Sequence, residues 1–332
     1  MEELEKVEDK YQIISGLVGE WLPSHGDWFT TEDVWRHITG QGIILTVDGK
    51  RNVTKYLSEE IKKGTVRKRG KRYRYIDPDI VRYSNPWEAD KEDIIKLKFP
   101  VSHFGDEYSE FGFDELFNIH KGDGIVVGGE SNEGKTTLVT NIVADNMDDM
   151  DVRFVSTEMT DAKLRQRIDR MDWVEPLNGA GKPKFEFGFM EGDDYEDAIH
   201  PDKINIIDWI GLRGEFWQIE NIIRDMKSRL RDGIVIIVLQ KKQGEDNPLG
   251  GEFAYRRADV CLSISRGVLK VLKAKDYNQP NPNYKKWAFE IANKGSCFCN
   301  IREVEDCPQC RGKKYWGGIK CKRCYGKGFI EK

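Results

Sequence analysis

Apolar positions follow two rhythms along the chain. Near the start, Ile13, Ile14, Leu17, Val18 and Trp21 recur at helical spacing and stop before Pro23. Thr30-Thr-Glu-Asp33 is a capping box that opens a second helix through Val34, Trp35 and Ile38. Val53, Leu57 and Ile61 mark a third helix, closed by Gly64. Residues 65–76 then alternate about Gly70, as a hairpin does. Farther on the rhythm changes. Segments 125–127, 152–155, 204–207 and 234–239 are short and largely apolar, while Leu138, Ile142, Val143 and Leu164, Ile168 keep helical spacing between them. Apolar runs alternating with helices predict parallel strands buried on both faces. The expected organisation is a helix-and-hairpin domain over 1–82, a polar linker over 83–110 and an α/β core over 111–296. A cysteine-bearing module over 297–332 completes it.

The first of those apolar runs leads into Gly129-Glu-Ser-Asn-Glu-Gly134-Lys135-Thr136, which fits G-x-x-x-x-G-K-[ST] at every position. With a strand before it and a helix after it, such a loop wraps its backbone N–H groups around phosphate oxygens. Gly129, Glu130, Ser131, Asn132, Glu133, Gly134, Lys135, Thr136 and Thr137 are therefore the candidate cradle of a nucleoside triphosphate. Lys135 would reach the outer phosphates and Thr136 would hold Mg²⁺. The run 152–155 leads to Glu158, a carboxylate placed to orient and deprotonate an attacking water. The run 204–207 ends in Asp208, suited to support Mg²⁺, and is followed by Trp209 rather than a second acid. The run 234–239 ends in the amide of Gln240.

Phe154-Val-Ser-Thr-Glu-Met-Thr-Asp-Ala-Lys-Leu164, Ile206-Ile-Asp-Trp-Ile210 and Val238-Leu-Gln-Lys241 resemble the ATPase domain of RecA-type proteins, in particular replicative helicases of the DnaB type. The resemblance covers about 111–291. It implies a RecA-like P-loop fold with ATP and Mg²⁺ as cofactors, Glu158 as general base and Asp208 as the Walker B acid. Gln240 would sense the terminal phosphate. It also implies a homo-oligomer, a hexameric ring or a filament, acting on single-stranded DNA. Lys273-Ala-Lys275 falls where those helicases carry a Lys-x-Arg finger, and RecA-type recombinases use a lysine pair there. Lys135, Glu158 and Asp208 can complete binding and water activation from one chain, but nothing near them is expected to supply a cation for the charge that develops during phosphoryl transfer. Lys273 or Lys275 of a neighbouring subunit is accordingly the expected finger. Candidate DNA loops follow Asp208, with Arg213 and Trp217, and Gln240, with Lys241 and Lys242. The implied function is a DNA-associated ATPase, a helicase or translocase of replication or recombination. A recombinase- or loader-like ATP switch is the alternative.

Composition changes this picture in three places. The 332 residues carry a net charge of −4, yet Lys62, Lys63, Arg67, Lys68, Arg69, Lys71, Arg72 and Arg74 follow one another with no acid among them. Three helices and a basic hairpin resemble a winged helix-turn-helix, for which duplex DNA is the expected partner, with Tyr73 and Tyr75 set among the charges. Mean hydropathy is −0.63 and no apolar run approaches the ~20 residues of a membrane span. The opening Met-Glu-Glu-Leu-Glu-Lys has no basic or apolar leader region, so a cytoplasmic protein without membrane partners is expected. Finally, of 7 cysteines, Cys307, Cys310, Cys321 and Cys324 form two C-x-x-C pairs, the donor set of a closed tetrahedral Zn²⁺ site. The second, Cys321-Lys-Arg-Cys-Tyr-Gly-Lys-Gly328, matches the C-x-x-C-x-G-x-G repeat of DnaJ-type zinc modules, and the first departs from it only at Lys314. Cys261 reads as core, and Cys297 and Cys299 as free thiols.

Overall fold

The computed structural model describes residues 11–77, 87, 93–103, 108–211, 216–265 and 267–332. Two compact units divide the chain, Met1–Ala89 and Asp90–Lys332.

The first unit contains α1 (Tyr11–Trp21), α2 (Thr31–Gly40), α3 (Val47–Lys63), β1 (Val66–Arg69) and β2 (Arg72–Tyr75). The Thr30–Asp33 capping box forms in both directions, satisfying two of the backbone donors that open α2. Gly64 ends α3 at φ 82°, a left-handed position that costs glycine nothing. Ile14, Val18, Val34, Ile38, Val53 and Leu57 meet in one core, joined by Tyr73 from the hairpin. Phe29 pairs with Tyr73 as a third, one-residue strand. All eight basic residues from Lys62 to Arg74 are exposed, and among the described residues only Lys63 has an ion-pair partner, Glu60. Tyr73 departs from expectation. Its ring is buried, at 6 % exposure, because it closes the core, so it has no face to offer a base.

The second unit is built on a ten-stranded sheet. Its members in chain order are β3 (Gly124–Gly129), β4 (Val152–Ser156), β5 (Glu186–Phe189), β6 (Ile204–Asp208), β7 (Ile234–Gln240), β8 (Val260–Ser265), β9 (Val268–Ala274), β10 (Lys286–Ala292), β11 (Cys297–Asp306) and β14 (Phe329–Glu331). The small ribbon β12 (Tyr315–Trp316) and β13 (Ile319–Lys320) lies between the last two. Across the sheet the order is β14-β11-β10-β9-β8-β3-β7-β6-β4-β5. From β8 to β5 every pairing is parallel, and from β8 to β14 every pairing is antiparallel. The fold is the expected α/β class with a mainly parallel sheet. All six residues of β3 are buried, covered on one side by α4 (Phe113–Leu116), α5 (Lys135–Asn146) and α6 (Asp161–Ile168), on the other by α7 (Ile219–Ser228) and α8 (Glu252–Arg257).

Two stretches differ from the expected domain plan. Within 83–110, residues 83–86, 88–92 and 104–107 lie outside the described residues, but Leu97 and Phe99 are buried in the sheet's core. Lys98 N–H and C=O are both held by Asn146 of α5, so this part is docked rather than free. At the other end, β11 carries the sheet ten residues past 296 before the cysteine turns begin.

Candidate active site

Parallel α/β sheets bind ligands beyond the C-terminal ends of their strands, where neighbouring connections diverge. Here β3 runs into the glycine loop with α5 directly behind it, and the ends of β4, β6 and β7 lie alongside. Two glycines make the loop sterically possible. A Cβ on Gly129 would lie 2.5 Å from Lys135 Cγ, so only glycine lets the lysine stem fold back across the strand end. Gly134 takes φ 103° at the helix N-cap, and a Cβ there would lie 2.6 Å from Ile291 Cδ1.

The resulting cavity, of 590 Å³, is lined by Ser131, Asn132, Gly134, Lys135, Thr136, Thr137, Glu158, Asp208 and Gln240, together with Arg167, Trp209, Ile291 and Gly295. Residues expected together from the ends of four separate strands therefore share one space. Gly129, Glu130 and Glu133 support the loop without lining the cavity. Glu130 accepts hydrogen bonds from Gly244 N at 3.1 Å and from Ser265 Oγ at 2.8 Å, while its carbonyl accepts from Lys135 Nζ at 2.7 Å. Lys135 is 9 % exposed, and burial lowers its pKa against the opposing pull of Asp208 and Glu158. Thr136 Oγ1 donates to Asp208 Oδ2 at 3.0 Å, putting the two expected Mg²⁺ supports side by side. Burial pushes the Asp208 carboxyl from 3.8 up to about 6, although the Thr136 hydroxyl and the Lys135 charge pull the other way. Glu158 stands two residues beyond β4, exposed to the cavity, its N–H held by Ser156 Oγ at 3.3 Å. Thr137 Oγ1 donates to Gly295 O at 2.8 Å, so its hydroxyl is spent on the fold.

A nucleotide with Mg²⁺ fits this donor set. The Lys135 amine, the Thr136 hydroxyl and the carboxylates of Glu158 and Asp208 face one polar cavity, with Ser131, Asn132 and Arg167 beside them.

Arg167 corrects the expectation that nothing in the same chain supplies a cation. It projects from α6 into the cavity, where its Nη1 donates to Gly295 O and, at 3.4 Å, to Thr137 Oγ1. Burial lowers its pKa while Asp208 raises it. A signal existed in the sequence: Arg167 shares the inward face of α6 with Leu164 and Ile168, an unusual place for a guanidinium without a task. Lys273 and Lys275 lie elsewhere. β9 is antiparallel to β8, so its Ala274 pairs with Val260 at the start of the parallel strands, roughly 15 Å from the glycine loop. There Lys273 Nζ donates to Tyr255 O at 2.8 Å and Lys275 pairs with Asp259 at 2.6 Å. Neither reaches the cavity of its own chain. Of the candidate DNA-loop residues, Trp217 and Lys242 are exposed, Lys241 is buried at 6 %, and Arg213 lies outside the described residues.

The cysteines form a second centre. Cys307, Cys310, Cys321 and Cys324 are buried with their four sulfurs within 4.8 Å of one another, the one such donor cluster among the described residues. Sγ–Sγ separations of 3.9 Å (Cys307–Cys321) and 3.6 Å (Cys310–Cys324) match the ~3.8 Å edge of a tetrahedron with Zn–S bonds of ~2.3 Å. Gly328 N donates to Cys324 Sγ at 3.3 Å, and Lys314 N–H takes the same place on Cys310. The residues present fit Zn²⁺. Cys261, Cys297 and Cys299 are buried free thiols outside the cluster.

No protein-family model matches the chain, and no curated protein matches it. Among solved structures, the chain is similar to the ATPase domain of G40P, at 15 % identity and a TM-score of 0.43 over 55 % of this chain and 86 % of that one.

Proposed function

We propose that the second unit is an ATPase of the RecA type, that it works on nucleic acid, and that a DNA-translocating or unwinding motor is its best single description. The observation that supports this reading most is the convergence of Lys135, Thr136, Glu158, Asp208 and Gln240 on one cavity, from the ends of four different strands. In that arrangement the loop N–H groups and Lys135 bind the phosphates. Thr136 and Asp208 orient Mg²⁺, which supplies charge neutralisation when bound. Glu158 orients water and takes its proton. Gln240 lines the cavity and precedes the loop that begins at Lys241, so it would link a terminal phosphate bound there to that loop, the route by which hydrolysis would move a nucleic-acid contact. The exposed basic hairpin of the first unit provides duplex affinity through counterion release. Cys307, Cys310, Cys321 and Cys324 would hold Zn²⁺, which would fix the C-terminal turns in place.

The alternative is a nucleic-acid-binding switch in which hydrolysis only resets binding. Strand displacement on a forked duplex separates the two. A motor releases the labelled strand with ATP and not with a non-hydrolysable analogue. Stimulated hydrolysis without displacement would favour the switch, and hydrolysis indifferent to single-stranded DNA would count against both.

A further inference from the structure

Behind the loop that follows Gln240 lies a small cavity of 150 Å³, walled on one side by the sheet and on the other by the two cysteine turns. Five lysines line it: Lys241, Lys270, Lys286, Lys314 and Lys327. Two of them are neutralised, Lys270 by Asp246 at 2.7 Å and Lys286 by Asp306 at 2.6 Å. The other three form no ion pair among the described residues, although the charges of Asp246 and Glu130 act on Lys241 from a distance. Lys241 is 6 % exposed and its Nζ donates to the neutral Ser263 Oγ at 2.8 Å, the hydroxyl passing its own proton to Asp246 O. Lys314 and Lys327, one from each cysteine turn, have no carboxylate partner among the described residues. Only Lys241 carries a burial penalty, since Lys314 is half-buried and Lys327 exposed, but together the three give the cavity an excess of positive charge that an anion would complete.

Lys314 carries a second sign. The cysteine turns repeat their backbone almost step for step: Arg311 and Tyr325 at φ 50° and 49°, Gly312 and Gly326 at 79° and 74°, then Lys314 at 69° opposite Gly328 at 92°. Where one turn uses glycine, the other holds a lysine in the left-handed region, at a cost of roughly 1–2 kcal/mol. Strain kept at such a position points to a use for its side chain. The same module exposes Tyr315 (61 %), Trp316 (60 %) and Tyr325 (78 %), aromatic faces of the kind on which unpaired bases stack.

We propose that this cavity holds a backbone phosphate of single-stranded nucleic acid, with the neighbouring bases stacked on the exposed aromatics of the zinc-site turns. The space suits one phosphate group and not a nucleoside. It is tied to the ATP cavity through a short path, because Lys241 follows Gln240 and Glu130 of the glycine loop clasps both Gly244 and Ser265. The inference deepens the nucleic-acid reading above and rests on it.

The test is a salt titration of the affinity for a fluorescent oligo-dT strand, on the full chain, for wild type, Lys314→Gly/Lys327→Gln and Trp316→Ala. Lys314→Gly places at the left-handed position the residue that favours it, so the turn keeps its fold, which a thermal melt checks. The lysine variant should bind several-fold more weakly, with the slope of log K against log salt shallower by ~0.7, one phosphate's worth for single strands. Trp316→Ala should weaken binding roughly tenfold and leave the slope alone, since stacking releases no counterions. Wild-type affinity and slope in both variants would overturn the subsite while leaving the nucleic-acid reading intact. No oligo-dT binding by wild type would overturn both. If inorganic phosphate raises the melting temperature of wild type only, while all three proteins bind oligo-dT alike, the cavity takes the free ion and the assignment to nucleic acid is wrong.

Discussion

Single residues decide the chemistry, and two of them make separable predictions. Asp208 has its carboxyl raised from 3.8 to about 6 by burial, so the folded state favours the neutral form. The ionised form therefore costs stability, a cost that begins above pH 3.8 and is complete above about pH 6. Its ceiling is about 3 kcal/mol. Asp208→Asn should accordingly raise the melting temperature of the nucleotide-free protein at pH 7.5, lose that advantage toward pH 4, and abolish hydrolysis. Equal melting curves at both pH values would show that the charge is not buried as described. Arg167 makes the second prediction. As a cation lining the cavity proposed for the phosphates it should act mainly on turnover, so Arg167→Ala should lower kcat by roughly a hundredfold and change ATP affinity much less. Arg167→Lys should recover only part, because it restores the charge without the fork. A variant that loses affinity and keeps kcat would make Arg167 a binding group. At this scale the sequence was informative where a motif fixes spacing: Lys135, Thr136 and Asp208 were all legible. It was uninformative where burial depends on distant contacts. Lys241 reads as a lysine of a DNA-contacting loop and Tyr73 as an aromatic set among the hairpin's charges, yet each is buried by segments far away in the chain.

At the scale of elements, strands β3, β4, β6 and β7 and helices α1 to α3 were legible because each carries an uninterrupted period and a clear stop. β11 and β14 were not, because their partners lie on the far antiparallel edge and their apolar content is mixed. That pairing has a consequence. The cysteine turns leave the sheet through β11 and return through β14, so a metal held by the four cysteines would close a loop that two sheet strands already hold. The purified protein should contain one Zn²⁺ per chain, and Cys321→Ser should lose it. Protection from hydrogen exchange should then fall in the turns between β11 and β14 and stay unchanged in β3 and β7. Loss of protection throughout the sheet, or zinc-free wild type, would contradict this placement.

At the scale of the whole molecule, the end of the sheet remote from the glycine-loop cavity carries Lys273 and Lys275, which would serve that cavity only if another subunit brought them to it. The trans finger is thus a proposal about assembly. Lys275→Ala and Lys135→Ala should each be inactive alone and recover part of their activity when mixed, since some interfaces then pair an intact lysine with an intact cavity. Full activity in both Lys273→Ala and Lys275→Ala would leave Arg167 as the finger and remove the mechanistic ground for a ring. Beneath that question lies the claim that the cavity binds and hydrolyses ATP, and one paired measurement tests it most directly. ATP affinity and steady-state turnover are compared for wild type, Lys135→Ala and Glu158→Gln. Lys135→Ala should lose binding. Glu158→Gln should keep ATP bound while turnover falls on the order of 10²–10⁴-fold, because only the base is gone. Wild-type turnover in Glu158→Gln, or unchanged ATP affinity in Lys135→Ala, would contradict the assignment of this cavity as the site of hydrolysis.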